Sequence, residues 1–367
     1  MIKKKILNNA GIFLFILLIC LNNNSLSAMD KKIPYHHVYE NGKLVGFRNL
    51  PADVPSWGKK KWPWSKWSKL KKEINTYVPN EHLLTKEEIL ESIEKTKNVE
   101  SIQWLGHNSW LLRNINGKNI LFDPVCGETI GPMSLFGSKR YTPVPLSIDE
   151  LPRIDIVIIS HHHFDHRDFY TLKNLPNKKN IEIFVPLRSQ NFYKSLGYTR
   201  INELDWDESK KIDDLTISSR IAYHWSKTSL LKRNDTLWSS YLLEWDNNKK
   251  IWLGGDSGYI KKIFDDVGKK IGDISLAVLG IGAYDFKKLG FDKTYMHTSP
   301  SEALQMGKSI NAKKVIGSHF LTFVISLEPV LDPPRLFKEN AEKYGYKKED
   351  AIIFKIGEVQ KLEDLIN

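Results

Sequence analysis

At 367 residues, 41% of them hydrophobic, the chain can bury a large core, either as one α/β domain or as two domains. Its formal charge of +11 suits anionic lipid or other acidic partners, or is simply a solvated basic surface. Two cysteines, one of them in the N-terminal segment, exclude a disulfide framework, and Cys126 is read as a small buried residue.

Lys3, Lys4 and Lys5 precede an apolar run from Ile12 to Leu21, followed by asparagines and Ser27-Ala28. That is the order of a secretory signal peptide over residues 1–28, and the run is shorter than the ~20 residues a spanning helix needs. The expectation is an exported protein, periplasmic or secreted, peripheral on a membrane. Residues 29–98 read as an N-terminal arm. Its first part is rich in Pro and Gly, and its middle interleaves tryptophan and lysine from Trp57 to Lys72. Such a stretch suits a lipid–water interface, where indoles sit at headgroup depth and lysines meet phosphate. The other reading packs the indoles on the core and solvates the lysines. Thr85-Lys-Glu-Glu88 is a capping box that starts a helix to about Lys95.

From residue 99 to 367 strands and helices alternate without an internal repeat. Strands are predicted over 99–112, 119–123, 155–160, 181–186, 215–222, 237–245, 250–253 and 274–281. Helices are predicted over 167–175, 189–196, 260–271, 301–310 and 334–344. The mixture is α/β (α+β): two sheets flanked by helices in one compact domain.

The apolar run Ile154–Ile159 and Ser160 lead into His161-His162-His163-Phe164-Asp165-His166. Three of these imidazoles and the carboxylate alternate on a loop leaving a strand, which suits a metal site held by a rigid sheet. His161 and His163 are expected to serve one metal, and Asp165 and His166 another. His162 points away on this pattern. A dinuclear site needs further ligands at strand ends. Asp256 follows two glycines that let the backbone turn, and its two oxygens could bridge two cations. His224 and His319 each follow an apolar strand. Zinc fits this donor set best, with other divalent metals open.

This order, H-x-H-x-D-H, then His, then Gly-Asp-Ser-Gly, then His, resembles the metallo-β-lactamase superfamily. The chain more closely resembles its N-acyl-phosphatidylethanolamine-hydrolysing phospholipase D family. The likeness is carried by Gly46-Phe-Arg-Asn49, Ile102-Gln-Trp-Leu-Gly-His-Asn-Ser109, Phe122-Asp-Pro-Val125, Gly255-Asp-Ser-Gly-Tyr259, Ile281-Gly-Ala-Tyr284 and His297-Thr-Ser-Pro-Ser-Glu-Ala303. It implies an αββα sandwich of two mixed β-sheets. It implies one Zn2+ on His161, His163 and His224, a second on Asp165, His166 and His319, and Asp256 bridging them. It assigns catalysis to Asp165, Asp256 and His297, and substrate contact to His297 and Tyr284. The implied reaction is attack of a metal-held hydroxide on a phospholipid phosphodiester at a membrane surface, releasing phosphatidic acid and the headgroup alcohol. A homodimer is also implied, and nucleic acid is not an expected partner.

The chain departs from the family pattern at His162, Phe164, Asp285-Phe-Lys287 and His319-Phe-Leu-Thr-Phe323, where Leu321 stands for a family glycine. Two other functions stay open. A lactonase or other metal-dependent hydrolase would use the same metals on a carbonyl. A non-catalytic exported protein would use them structurally.

Overall fold

A computed structural model describes residues 35–50, 62–228, 232–291 and 295–366. The segment read as a signal peptide, 1–28, and Trp57 to Lys61 of the tryptophan–lysine stretch lie outside these residues. The chain divides into units of residues 1–45 and 46–367. The first shows a hairpin of β1 (His37–Glu40) and β2 (Lys43–Phe47), the latter running into the second unit. Asn41 and Gly42 turn it with φ of +49° and +73°, as a two-residue hairpin turn requires.

In the second unit, α1 (Trp64–Lys71) and α2 (Lys86–Thr96) precede the sheets. The Thr85 hydroxyl accepts from the Glu88 N–H while the Glu88 carboxylate accepts from the Thr85 N–H, completing the predicted capping box. One sheet then forms from β3 (Ser101–Trp104), β4 (Trp110–Ile115), β5 (Lys118–Phe122), β8 (Ile156–Ile158), β9 (Glu182–Pro186), β10 (Arg200–Leu204) and β18 (Val359–Lys361), where β6 (Thr129–Ile130) and β7 (Ser138–Lys139) are a small hairpin apart. Its order is β10-β9-β8-β5-β4-β3-β18, parallel from β10 to β5 and antiparallel onward. The other sheet is β11 (Ser209–Ile212), β12 (Leu215–Arg220), β13 (Ser240–Trp245), β14 (Lys250–Leu253), β15 (Ile274–Gly280), β16 (Ala312–Ser318) and β17 (Ala351–Ile352), in sequence order. It is antiparallel as far as β14 and parallel beyond.

Side-chain alternation explains the layering. In β5 and β8, Ile120, Phe122, Ile156 and Ile158 join the core between the sheets with Ile217, Tyr241, Leu253 and Val278. Their neighbours Leu121, Val157 and Ile159 face outward onto Leu172 of α3 (Phe169–Asn174) and Tyr193 of α4 (Gln190–Ser195). On the far side, Phe264 of α5 (Lys261–Ile271), Leu304 of α6 (Pro300–Ser309) and Phe337 of α7 (Asp332–Asn340) cover the second sheet. The expected αββα sandwich is what forms.

The strand predicted over 99–112 is instead two strands. Gly106 and His107 take φ of +90° and +50°, and Ser109 N–H bonds Gly106 O at 2.9 Å, so the chain reverses between β3 and β4. The edge strands β10 and β11 were not predicted, because RINEL and SKKI carry few apolar residues to alternate. Helix α1 was also not predicted. Trp62 just before it and Trp67 within it pack on Phe286, Leu289, Phe291 and Leu327, while Trp64 is 71% exposed. No helix among the described residues is long and apolar enough to cross a membrane.

Candidate metal centre

Loops at the C-terminal ends of strands from both sheets meet at one rim of the sandwich. The hexapeptide leaves β8, His224 follows β12, Asp256 follows β14 and His319 follows β16. The turn into Asp256 needs its glycines: Gly255 has φ of +61°, and a Cβ there would lie 2.6 Å from Ser160 Cβ.

Two groups of donors result. His161 Nε2 lies 2.8 Å from His163 Nδ1, which lies 3.1 Å from His224 Nε2. Asp256 Oδ2 stands 3.8 and 3.6 Å from the His161 and His224 donors. In the second group, His166 Nε2 and His319 Nε2 are 3.2 Å apart, with Asp165 Oδ2 at 3.6 and 3.5 Å from them. Asp256 reaches this group too, Oδ2 to His166 at 3.1 Å and Oδ1 to His319 at 3.1 Å. All seven residues predicted as metal ligands are thus brought together, with Asp256 between the groups.

The surroundings fix which ring nitrogens are free. His224 Nδ1 donates to Met296 O at 2.7 Å, and His166 Nδ1 donates to Asp123 Oδ2 at 2.7 Å. Ser160 Oγ donates to Asp123 Oδ2 at 2.6 Å, so His161 Nδ1 donates to Ser160 Oγ at 2.9 Å. The Nε2 of His161 and that of His224 then each present a lone pair towards His163, an arrangement that favours a cation between them. Burial holds His161 and His224 well below ordinary histidine and His163 down to about 3, so these rings are neutral. Burial alone would raise Asp165 and Asp256, but the imidazoles around them, His166 foremost, hold both well below the usual carboxylate range. Burial opposes protonation of His166 as well, yet Asp256, Asp165 and Asp123 raise it well above ordinary histidine. Neutral imidazoles at His161, His163 and His224, ionised carboxylates, and a His166 that would give up its proton to a bound cation form a donor set that fits divalent cations.

His297 lies at the mouth, its side chain 14% exposed like that of Asp165, with Nδ1 3.7 Å from Asp256 Oδ2. Burial depresses it to about 4. Tyr284 makes no hydrogen bond among the described residues. It sits in a turn held by Glu328, whose carboxylate accepts from the Ala283 and Asp285 N–H groups at 2.6 and 3.0 Å. His162 turns away from the donors and meets the Tyr193 hydroxyl at 3.1 Å.

Sequence reasoning missed three contributors, although each stood in a quoted motif. His107 Nε2 lies 3.0 Å from Asp165 Oδ2. Asp123 also accepts from Ser160 N–H at 2.7 Å and Asn108 Nδ2 at 2.8 Å. Asn49 donates to His224 O at 2.6 Å and accepts from His224 N–H at 3.2 Å and Trp238 Nε1 at 3.1 Å. Buried polar residues at strand or segment ends were the available signal.

Paired His/Asp groups on the rim of an αββα sandwich define a metal-dependent hydrolase. The chain belongs to the β-lactamase superfamily, whose domain model, described as "Beta-lactamase superfamily domain", matches residues 118–320. It is 34% identical over 251 residues to the mitochondrial N-acyl-phosphatidylethanolamine-hydrolyzing phospholipase D of Saccharomyces cerevisiae. That match covers 66% of this chain and 53% of the yeast protein, so the chain spans about half its relative's length. It is 28% identical over 346 residues to N-acyl-phosphatidylethanolamine-hydrolyzing phospholipase D 1 of Caenorhabditis elegans, covering 88% of this chain and 94% of that one. Among solved structures, the isothiocyanate hydrolase from Delia radicum gut bacteria superposes with a TM-score of 0.56. At 19% identity, over 71% of this chain and 99% of that one, it speaks for the fold alone.

The expectation of export is corrected by one of these relatives. The yeast protein is named as mitochondrial, against a periplasmic or secreted location. A lysine-led apolar segment has more than one use, and the sequence pattern alone did not separate them.

Proposed function

We propose that the chain is a phospholipase D-type phosphodiesterase that hydrolyses N-acyl-phosphatidylethanolamine or a closely related phospholipid, with two Zn2+ as cofactor. The observation that carries this reading is the Asp256 carboxylate, with one oxygen facing His161, His166 and His224 and the other facing His319. It makes one paired site from two donor groups. The names of the yeast and worm relatives support the substrate.

His161, His163 and His224 would hold one cation, Asp165, His166 and His319 the other. Bound there, such ions make a water nucleophilic near neutral pH and draw charge from phosphoryl oxygens. The chain's own residues do the rest. Asp165 has Oδ2 engaged by His107, which leaves its other oxygen to orient the attacking water. His297, neutral and at the mouth, donates a hydrogen bond to a phosphoryl oxygen or to the departing alkoxide. A bond forms from water oxygen to phosphorus, and the bond from phosphorus to the headgroup oxygen breaks. That oxygen leaves with a proton as the alcohol. Tyr284, whose phenol burial keeps protonated, is the second proposed substrate contact.

Contact with a lipid surface is supported by the turn between β6 and β7. Met133, Leu135 and Phe136 are 63%, 64% and 74% exposed there, and Lys71 Nζ of α1 donates to Ser138 Oγ at 2.5 Å. Replacing Phe136 and Trp64 by serine should lower turnover of vesicle-borne substrate several-fold and leave a soluble diester unaffected.

The deciding test is phosphatidic acid release from N-acyl-phosphatidylethanolamine in mixed micelles with zinc, comparing the wild type with Asp256→Asn. Release by the wild type and a loss of at least ~100-fold in the variant is expected. A wild type that binds two equivalents of zinc and releases no phosphatidic acid would refute the lipid reading.

A further inference from the structure

The loop between β3 and β4 holds a histidine outside the set assigned to metal, in a backbone conformation that needs explaining. His107 has φ of +50° behind Gly106 at +90°, a left-handed conformation that a residue with a Cβ adopts only at a cost. It persists because both of its backbone groups are engaged. Its N–H donates to Thr322 Oγ1 at 2.6 Å, and its carbonyl accepts from Trp104 Nε1 at 2.9 Å and Ser318 Oγ at 3.2 Å. The same carbonyl accepts from the His319 N–H at 2.9 Å. The side chain, 1% exposed, points to Asp165, with Nε2 3.0 Å from Oδ2 and its ring centroid 4.1 Å from that of His319.

We propose that His107 is a positioning residue for the second donor group, holding Asp165 through its side chain and His319 through its carbonyl. It does not itself take a cation. A carboxylate can only accept, so the hydrogen on His107 resides on Nε2 and occupies the one nitrogen that faces the donors. Nδ1 has no partner among the described residues. The effect is to hold one Asp165 oxygen in place and leave the other for the chemistry, with His319 Nε2 set at 3.5 Å from the same carboxylate. A residue in the first sheet's loop thereby sets the spacing of ligands from β8 and β16, one in each sheet. Hydrogen-bond partners of metal ligands act in this way, and losing one costs 10–100-fold in metal affinity.

The inference rests on the paired-cation reading and is independent of the lipid. The test compares the wild type, His107→Leu and His107→Gln by zinc titration against a chromophoric chelator, by the visible spectrum of the Co2+ forms, and by thermal unfolding. Glutamine places an N–H donor near the position of Nε2; leucine fills the space without one. His107→Leu should weaken the second equivalent 10–100-fold, leave the first within about twofold and alter the spectrum of the second Co2+. His107→Gln should recover affinity to within a few-fold of the wild type. Unchanged second-equivalent binding in His107→Leu overturns the proposal. So does equal loss of both equivalents in both variants with a common fall in melting temperature, which marks a purely structural residue. A wild type that takes up only one equivalent refutes the paired-cation reading, and this inference with it.

Discussion

At the scale of residues, Asp123 shows how much of a metal centre lies behind its ligands. Its carboxylate accepts from the Ser160 N–H and hydroxyl, Asn108 and His166, and it is fully buried. Asp123→Asn would turn an amide donor toward donors that need an acceptor. We expect stability to fall by about 1–3 kcal/mol in urea unfolding, and zinc affinity to fall at least tenfold by chelator competition. Asn49→Ala acts on the other group through the backbone of His224, so it should weaken the first zinc equivalent and leave the second unchanged. Neither residue was singled out from the sequence, although both were in view. An acid or amide at a strand end looks alike whether it caps a turn, meets water or orients a ligand. The hexapeptide, Asp256 and the two later histidines were legible because metal donors form a distinctive set of residue types. The residues that aim them draw on the common polar alphabet.

At the scale of elements, the loop after β16 carries a conflict between backbone and side chain. Leu321 stands where the resemblance expects glycine, and it keeps a left-handed φ of +52°. The conformation survives because Thr142 Oγ1 donates to Leu321 O at 3.0 Å, and the Tyr141 N–H donates to Thr322 O at 3.0 Å. Restoring glycine would relieve about 1–2 kcal/mol of strain. It would also remove a side chain that is 1% exposed in the central core, at a cost of about 2–5 kcal/mol. Burial wins. Leu321→Gly is therefore expected to lower the melting temperature, and a rise would show that the strain dominates. Much of this architecture could be read beforehand. The runs of β5, β8, β15 and β16 are apolar enough to be strands whatever surrounds them, and Thr85 with Glu88 announces α2. What escaped was set by tertiary contact. Helix α1 has no fully buried residue of its own, and the reversal at His107 depends on partners more than two hundred residues away.

At the scale of the whole molecule, the buried histidines couple folding to pH. Burial depresses His161, His162 and His224 well below ordinary histidine, His107 and His163 to about 3, and His297 to about 4. In the unfolded chain these rings titrate near ~6.5. As pH falls below that value the unfolded chain takes up protons that the folded chain refuses, so stability declines by about 1.4 kcal/mol per pH unit for each such ring. His166 opposes the trend, because its carboxylates raise it. The depressed group is the larger, so chelator-treated protein should lose melting temperature steadily from about pH 6.5 towards 4. A flat profile would show that these rings do not stay neutral. The placement of all this chemistry on one rim has a practical corollary. The Asp246–Lys249 turn joins β13 to β14, and β14 runs from it towards Asp256, so the turn lies at the opposite end of the sandwich. Its exposed Asn247 and Asn248 are a natural attachment point for a fluorophore or an inserted affinity tag. A label there would move with the rigid body of the enzyme and report its tumbling and orientation on a surface while leaving the reacting end unhindered.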